Sequence, residues 1–129
     1  MSFTLGKITP VLMVEAIEPC LAFWERLGFV RMAEVPEGDR LGFVILEKDG
    51  LEVMYQTRES VQHDLPGLAS APMGGTFLFM EVSDLDAVIT ALGSAPVLFP
   101  RRKTFYGMEE VGVREPGGHT ITFAMPVAG

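Results

Sequence analysis

Three things are scarce in this sequence, and each narrows what the protein does. Only one cysteine, Cys20, stands among 129 residues, so no internal disulfide can form and a reducing compartment fits the chain. Basic residues are outnumbered, 10 Lys and Arg against 17 Asp and Glu, for a net charge of −7. A nucleic-acid footprint needs clustered cations. The only basic run, Arg101-Arg102-Lys103, reads as a solvated strand edge. Apolar runs are only a few residues long, too short for a membrane span. The N-terminus lacks the basic and apolar regions of a signal peptide. The expectation is a cytoplasmic protein whose partners are neither nucleic acid nor membrane.

What is present is ample material for a core, since 48% of the residues are apolar, and the length suits one domain or two small half-units. The second option has support in an internal echo. Glu115-Pro116-Gly117-Gly118-His119 precedes the strand-like Thr120–Met125, much as Lys48-Asp49-Gly50 precedes Leu51–Tyr55. The same 68-residue offset lays Val14-Glu15-Ala16-Ile17-Glu18 over Val82-Ser83-Asp84-Leu85-Asp86. One offset holding at both ends of the pattern points to two copies of one unit. Pro116 presets φ and Gly117 tolerates a positive one, which predicts a type II turn there.

Taken in order, Ile8–Val14 is a short strand with Pro10 near its start. A helix follows, with Glu18 and Pro19 in its first turn, an apolar stripe of Ile17, Cys20, Leu21, Trp24 and Leu27, and Gly28 at its end. Phe29–Glu34 resumes as a strand, Pro36–Asp39 turns, and Leu41–Leu46 pairs with Leu51–Thr57 through the hairpin dipeptide Asp49-Gly50. Residues 58–73 break the periodicity and read as a linker. The second unit repeats the order: strand Thr76–Val82, a helix opened by Ser83-Asp84 with the stripe Leu85, Val88, Ile89 and Leu92 and stopped by Gly93, then strands Val97–Phe99, Phe105–Arg114 and Thr120–Met125. The modules are thus about 8–57 and 74–126 of one domain.

With one helix per four strands, each helix covers one sheet face and leaves the other open. Alternation assigns Leu12, Val14, Val53, Tyr55, Leu78, Met80, Val82, Ile121 and Phe123 to the helix side. The open side takes Val11, Met13, Glu52, Met54, Gln56, Phe77, Phe79, Glu81, Thr120, Thr122 and Ala124. That set is apolar with a few polar groups, the make-up of a small-molecule pocket and equally of a subunit interface.

The chain resembles the vicinal-oxygen-chelate superfamily of glyoxalases, extradiol dioxygenases, fosfomycin-modifying enzymes and bleomycin-resistance proteins. Val14–Glu18 with Leu21-Ala22-Phe23-Trp24 is similar to the family's first strand–helix junction. Leu27-Gly28-Phe29 is similar to its helix exit, and Arg114–His119 to its acidic-Pro-acidic-Gly-Asn turn. The resemblance covers nearly the whole chain. It implies an α+β fold of two βαβββ modules, curved mixed sheets around a cavity with one helix per module on the outer face, often completed as a homodimer. Metal-using members place His or Gln on the first strands and Glu on the last. Here those positions fall at Thr9 (or Pro10) and Phe77, and at Met54 and Thr122. None is a usual ligand for a divalent first-row cation, so neither metal nor cofactor is expected.

Neither histidine offers a replacement: His63 lies in the linker, and His119 takes the turn's Asn position, where capping is the plain role. Cys20 lies in an apolar stripe and reads as a buried, inert thiol, and Trp24 as core. The expected ligand-binding residues are Met13, Glu52, Met54, Phe77, Phe79, Tyr106, Glu110 and Thr122. No Ser-His-acid arrangement can be built, and no catalytic residue is assigned. The favoured function is a metal-free binding protein, nearest the bleomycin-resistance type, that sequesters an aromatic or cationic small molecule as a homodimer. The alternatives are a lyase, isomerase or dioxygenase with a displaced or carboxylate-based site, an enzyme using Glu and Tyr for metal-free acid–base work, and a structural or regulatory dimer with a vestigial cavity.

Overall fold

The structure, a computed structural model, describes residues 2–127. The first module runs β1 (Val11–Val14), α1 (Glu18–Arg26), β2 (Val30–Glu37), β3 (Arg40–Lys48) and β4 (Leu51–Thr57). The second runs β5 (Phe77–Glu81), α3 (Leu85–Leu92), β6 (Val97–Lys103), β7 (Met108–Arg114) and β8 (Thr120–Pro126). Each module forms one four-stranded mixed sheet, in the orders β1-β4-β3-β2 and β5-β8-β7-β6. We term these sheets A and B. In both, the first strand runs parallel to the last and the other neighbours are antiparallel. The duplication read from the sequence is therefore a duplication of topology. Neither sheet closes into a barrel.

Local chemistry explains most of the boundaries. Helix α1 starts with Pro19 in its first turn and ends at Leu27, and Gly28 with φ 96° takes the left-handed position beyond it. Helix α3 is capped by Asp84, whose carboxylate accepts the Ala87 N–H at 3.1 Å. Asp49 and Gly50 both have positive φ, 54° and 80°, so the β3–β4 hairpin has the twist-matched turn expected of Asp-Gly. The Pro116-Gly117 turn departs from expectation. Gly118, not Gly117, carries the positive φ (92°), and its N–H donates to the Glu115 carbonyl at 2.9 Å. Close approach explains this. A Cβ on Gly117 would lie 2.7 Å from Val14 Cγ1 and 2.9 Å from the Glu115 carboxylate. Gly117 is there for space and Gly118 for conformation.

Several elements differ in extent. Strand β2 continues through Pro36 to Glu37, β6 runs on to Lys103, and β7 begins only at Met108. Both longer strands are sheet edges with register shifts, where proline is tolerated because no ladder bond is lost on the solvent side. The linker contains helix α2 (Arg58–Asp64) and a single 3-10 turn (Pro66–Leu68). Thr57 caps α2 by accepting the Ser60 N–H at 3.1 Å. The short, polar α2 buries only Val61, so it carries no apolar stripe for periodicity to reveal.

Alternation sorted the helix-facing side correctly, whereas Gln56 and Ala124, assigned to the open side, are buried. Leu12, Val14, Val53, Tyr55, Ile121 and Phe123 are buried and join Ile17, Cys20, Trp24, Leu85 and Leu92 in one core cluster, against which Leu78, Met80 and Val82 pack. Residues of both modules contribute to that cluster, so the helix-facing sides of both sheets share one interior. Their open faces consequently turn away from it.

Candidate functional site

Two polar networks stand out, one on each side of the sheets. The first lies in the core. The Trp24 Nε1–H donates to the Tyr55 hydroxyl oxygen at 2.7 Å, and the Tyr55 O–H donates to Glu115 Oε2. Glu115 Oε1 accepts the His119 backbone N–H at 2.6 Å. All four residues are buried. Burial, with the Glu115 carboxylate second, holds the Tyr55 phenol well above its ordinary pKa and pushes the nearby Cys20 thiol up to about 12. Cys20 is thus the inert thiol expected. His119 does not cap the turn with its ring. That role belongs to Glu115, while both imidazole nitrogens of His119 are buried without a hydrogen-bond partner among the described residues. This network ties α1 and β4 to the β7–β8 turn, and its role is to join the modules.

The second network lies on the open face of sheet B. Glu110 on β7 is 2% exposed, and its Oε1 accepts Arg102 Nε and Nη2 at 3.0 and 2.7 Å. Its Oε2 accepts the Tyr106 O–H at 2.9 Å, and that bond raises the Tyr106 pKa. The Arg102 guanidinium also lies 4.7 Å above the Phe99 ring centroid. Phe99 in turn lies directly on Gly112, where an added Cβ would overlap the ring. Gly112 is a strand glycine used for close approach.

Cross-strand pairing arranges the rest of this face in rows. Phe77 stands beside Thr120 and Thr120 beside Arg114. The next row is Phe79, Thr122, Gly112 and Phe99, and the third is Glu81, Ala124, Glu110 and Arg102. A slot of about 520 Å³ opens over the first two rows, lined by Gly75, Phe77, Leu98, Phe99, Arg114, Gly118, Thr120 and Thr122.

The expected ligand-binding residues therefore divide between two faces. Phe77, Phe79, Tyr106, Glu110 and Thr122 gather on sheet B. Met13, Glu52 and Met54 lie half-buried on sheet A, with Val11 paired to Met54 and Met13 to Gln56. Within one chain the two groups are not brought together. Lys7 Nζ meets Glu52 at 2.8 Å, so Glu52 and Glu110 are both paired, which removes much of the reason to expect a positively charged ligand. At the sheet A end, Gln56 Nε2 donates to Ser60 Oγ at 3.0 Å, and His63 Nδ1 meets the Glu37 carboxylate. Within the basic run, Arg102 pairs with Glu110, and Arg101 pairs with Glu109 at 2.7 Å and with Asp86. A further groove of about 340 Å³ between the β3–β4 hairpin and α3 contains none of the expected ligand residues.

Sequence reasoning missed Phe99, Gly112 and Arg102. The one available signal was Gly112, a glycine standing between Val111 and Val113 in strand β7.

The metal that the family resemblance implies does not fit these residues. Met54 and Thr122 offer a thioether and a hydroxyl and Phe77 nothing, which is no set for a hard or borderline divalent cation. Among the described residues no three His, Cys, Asp or Glu side chains gather to hold a metal ion.

No family profile matches the sequence, and no curated protein matches it. Solved structures do. The chain is similar to a glyoxalase/bleomycin resistance protein/dioxygenase from Nocardioides, with TM-score 0.75 and 19% identity over 99% of this chain and 88% of that one. It is also similar to TioX from Micromonospora sp. ML1, with TM-score 0.74 and 20% identity over 95% and 100% of the two chains. A lactoylglutathione lyase from Agrobacterium tumefaciens superposes with TM-score 0.72 and 14% identity over 95% of each chain. The chain has the fold that these proteins share.

Proposed function

We propose that the protein is a metal-free small-molecule binder that works as a homodimer and sequesters an aromatic ligand against its open sheet faces. The observation that carries this reading is the exposure of aromatic side chains beside an ordered polar network. Phe77 is 81% and Phe79 54% exposed, and the row of Phe79 and Thr122 adjoins the row of Glu110 and Arg102. A buried carboxylate with three hydrogen bonds costs desolvation, and a vestigial face gives no reason to keep one.

Dimerisation answers the exposure. Val11 on sheet A is also 53% exposed, and both sheets have open edges. A two-fold partner can lay one open face against the other, shielding both and bringing Met13 and Met54 of one copy to Phe77 and Phe79 of the next. The metal-dependent alternatives find no cluster of three His, Cys, Asp or Glu side chains among the described residues.

Native mass spectrometry of freshly purified protein tests the reading in one measurement. A dimer mass carrying a non-covalent organic molecule and no metal is the expected result. A monomer at micromolar concentration, or about one tightly held metal per subunit, overturns it.

A further inference from the structure

From the slot on sheet B we infer the chemical class of the ligand: a planar aromatic carboxylic acid, bound with its ring between Phe77 and Phe99 and its carboxylate on Arg114. This deepens the binding reading above and rests on it.

The slot's floor is Thr120 and Thr122, neighbours of Phe77 and Phe79 on the adjacent strand. Its walls are Phe77 on one side and Phe99 on the other, with Leu98 beside Phe99. Phe99 is fixed from two directions, by Gly112 beneath it and the Arg102 guanidinium over its ring. Phe77 and Phe99 rise from the two edge strands of sheet B, with a floor two strands wide between them. A flat aromatic body laid on that floor meets both rings at their edges, and such edge contacts reward aromatic over aliphatic shapes.

Charge then separates the possible aromatic ligands. Arg102 is already neutralised by Glu110. Arg114 lines the slot, is exposed, and takes part in none of the ion pairs among the described residues. It stands in one row with Thr120 and Phe77, so its guanidinium shares an end of the slot with the Phe77 ring. No carboxylate lines the slot. Glu81, the nearest on β5, lies two rows away beside Ala124. Aromatic walls alone would welcome a cation, but a lone guanidinium at the mouth repels one. It receives a carboxylate in a two-pronged hydrogen-bonded pair. A ring of one or two fused cycles fits a slot of about 520 Å³, and the Thr120 and Thr122 hydroxyls can meet a ring substituent.

The test is calorimetric titration of the full chain with three probes of one shape: 2-naphthoate, 2-naphthylmethanol and 2-naphthylmethylammonium. Naphthoate is expected to bind at least tenfold more tightly than the alcohol, and the ammonium compound more weakly than either. Arg114→Gln is expected to abolish the naphthoate advantage while leaving the alcohol unchanged, and Phe77→Ala to weaken all three. Equal binding of acid and alcohol, or preference for the ammonium probe, overturns the acid assignment and leaves the aromatic-binding reading standing. The same holds if Arg114→Gln weakens acid and alcohol alike. Failure of all three probes to bind overturns both.

Discussion

Tyr55, on the last strand of sheet A, donates its phenolic proton to the carboxylate of Glu115, in the turn before the last strand of sheet B, and both are buried. The bond spans 60 residues of sequence and joins the two modules through their shared core. Tyr55→Phe keeps the ring but leaves Glu115 Oε2 without its donor and the Trp24 indole N–H without its acceptor. Orphaned buried groups cost about 1–3 kcal/mol each, more when charged. We expect Tyr55→Phe to destabilise the fold by roughly 3 kcal/mol, measured by urea unfolding. A loss under about 1 kcal/mol would mean that water or another group replaces the phenol.

This network also shows where the sequence stopped being informative. The order of elements was legible because strands, turns and helix caps are local: Asp49-Gly50, Gly28, Asp84 and the alternation of β8 each state their conformation within a few residues. The faces followed from parity. The partner of Tyr55 was not legible, since nothing local to either residue names a contact between modules. Helix α2 escaped because its seven residues bury one apolar side chain, too little for periodicity. On the open face, Phe77, Phe79 and Thr122 could be placed by alternation along regular strands. Phe99 and Arg102 could not, because β6 is irregular, with register shifts between Val97 and Phe99 and between Phe99 and Arg102.

Cys20 gives a kinetic prediction. Burial, then the neighbouring Glu115 carboxylate, moves its pKa from 9.0 to about 12, so the folded state keeps the proton that the unfolded state releases. The resulting stabilisation is complete below pH 9 and is lost as pH rises towards 12. At pH 9 iodoacetamide should leave the native thiol unmodified and label it at once in denaturant. Rapid labelling of the folded protein would place the thiol at the surface.

Glu18 gives the complementary acid limb. Its carboxylate accepts the Leu41 N–H at 2.7 Å, and this bond is the main reason its pKa falls below the ordinary 4.5. A depressed carboxylate stabilises the fold above that ordinary value, and the contribution disappears as pH falls through the folded one. Wild type should therefore lose more stability between pH 6 and pH 3 than Glu18→Gln, with the two urea midpoints converging at the acid end. A constant difference between them at every pH would show that the Leu41 contact does not depend on charge.

Gly112 is the sharpest test of the aromatic slot. Its backbone is ordinary extended strand, so alanine meets no conformational penalty there, and the whole effect is steric. The added methyl overlaps the Phe99 ring, which must lift off the sheet and leave the Arg102 guanidinium. Overpacking costs about 1–3 kcal/mol where nothing can yield. Phe99 is half-exposed and can swing outward, so Gly112→Ala should lose roughly 1 kcal/mol, the low end of that range. Phe99→Ala should lose a comparable amount through the missing ring. In the double variant the methyl has nothing left to strike, so the two losses should be clearly less than additive. Additive losses in urea unfolding would mean that the ring does not rest on Gly112, and the slot would then lack the wall opposite Phe77.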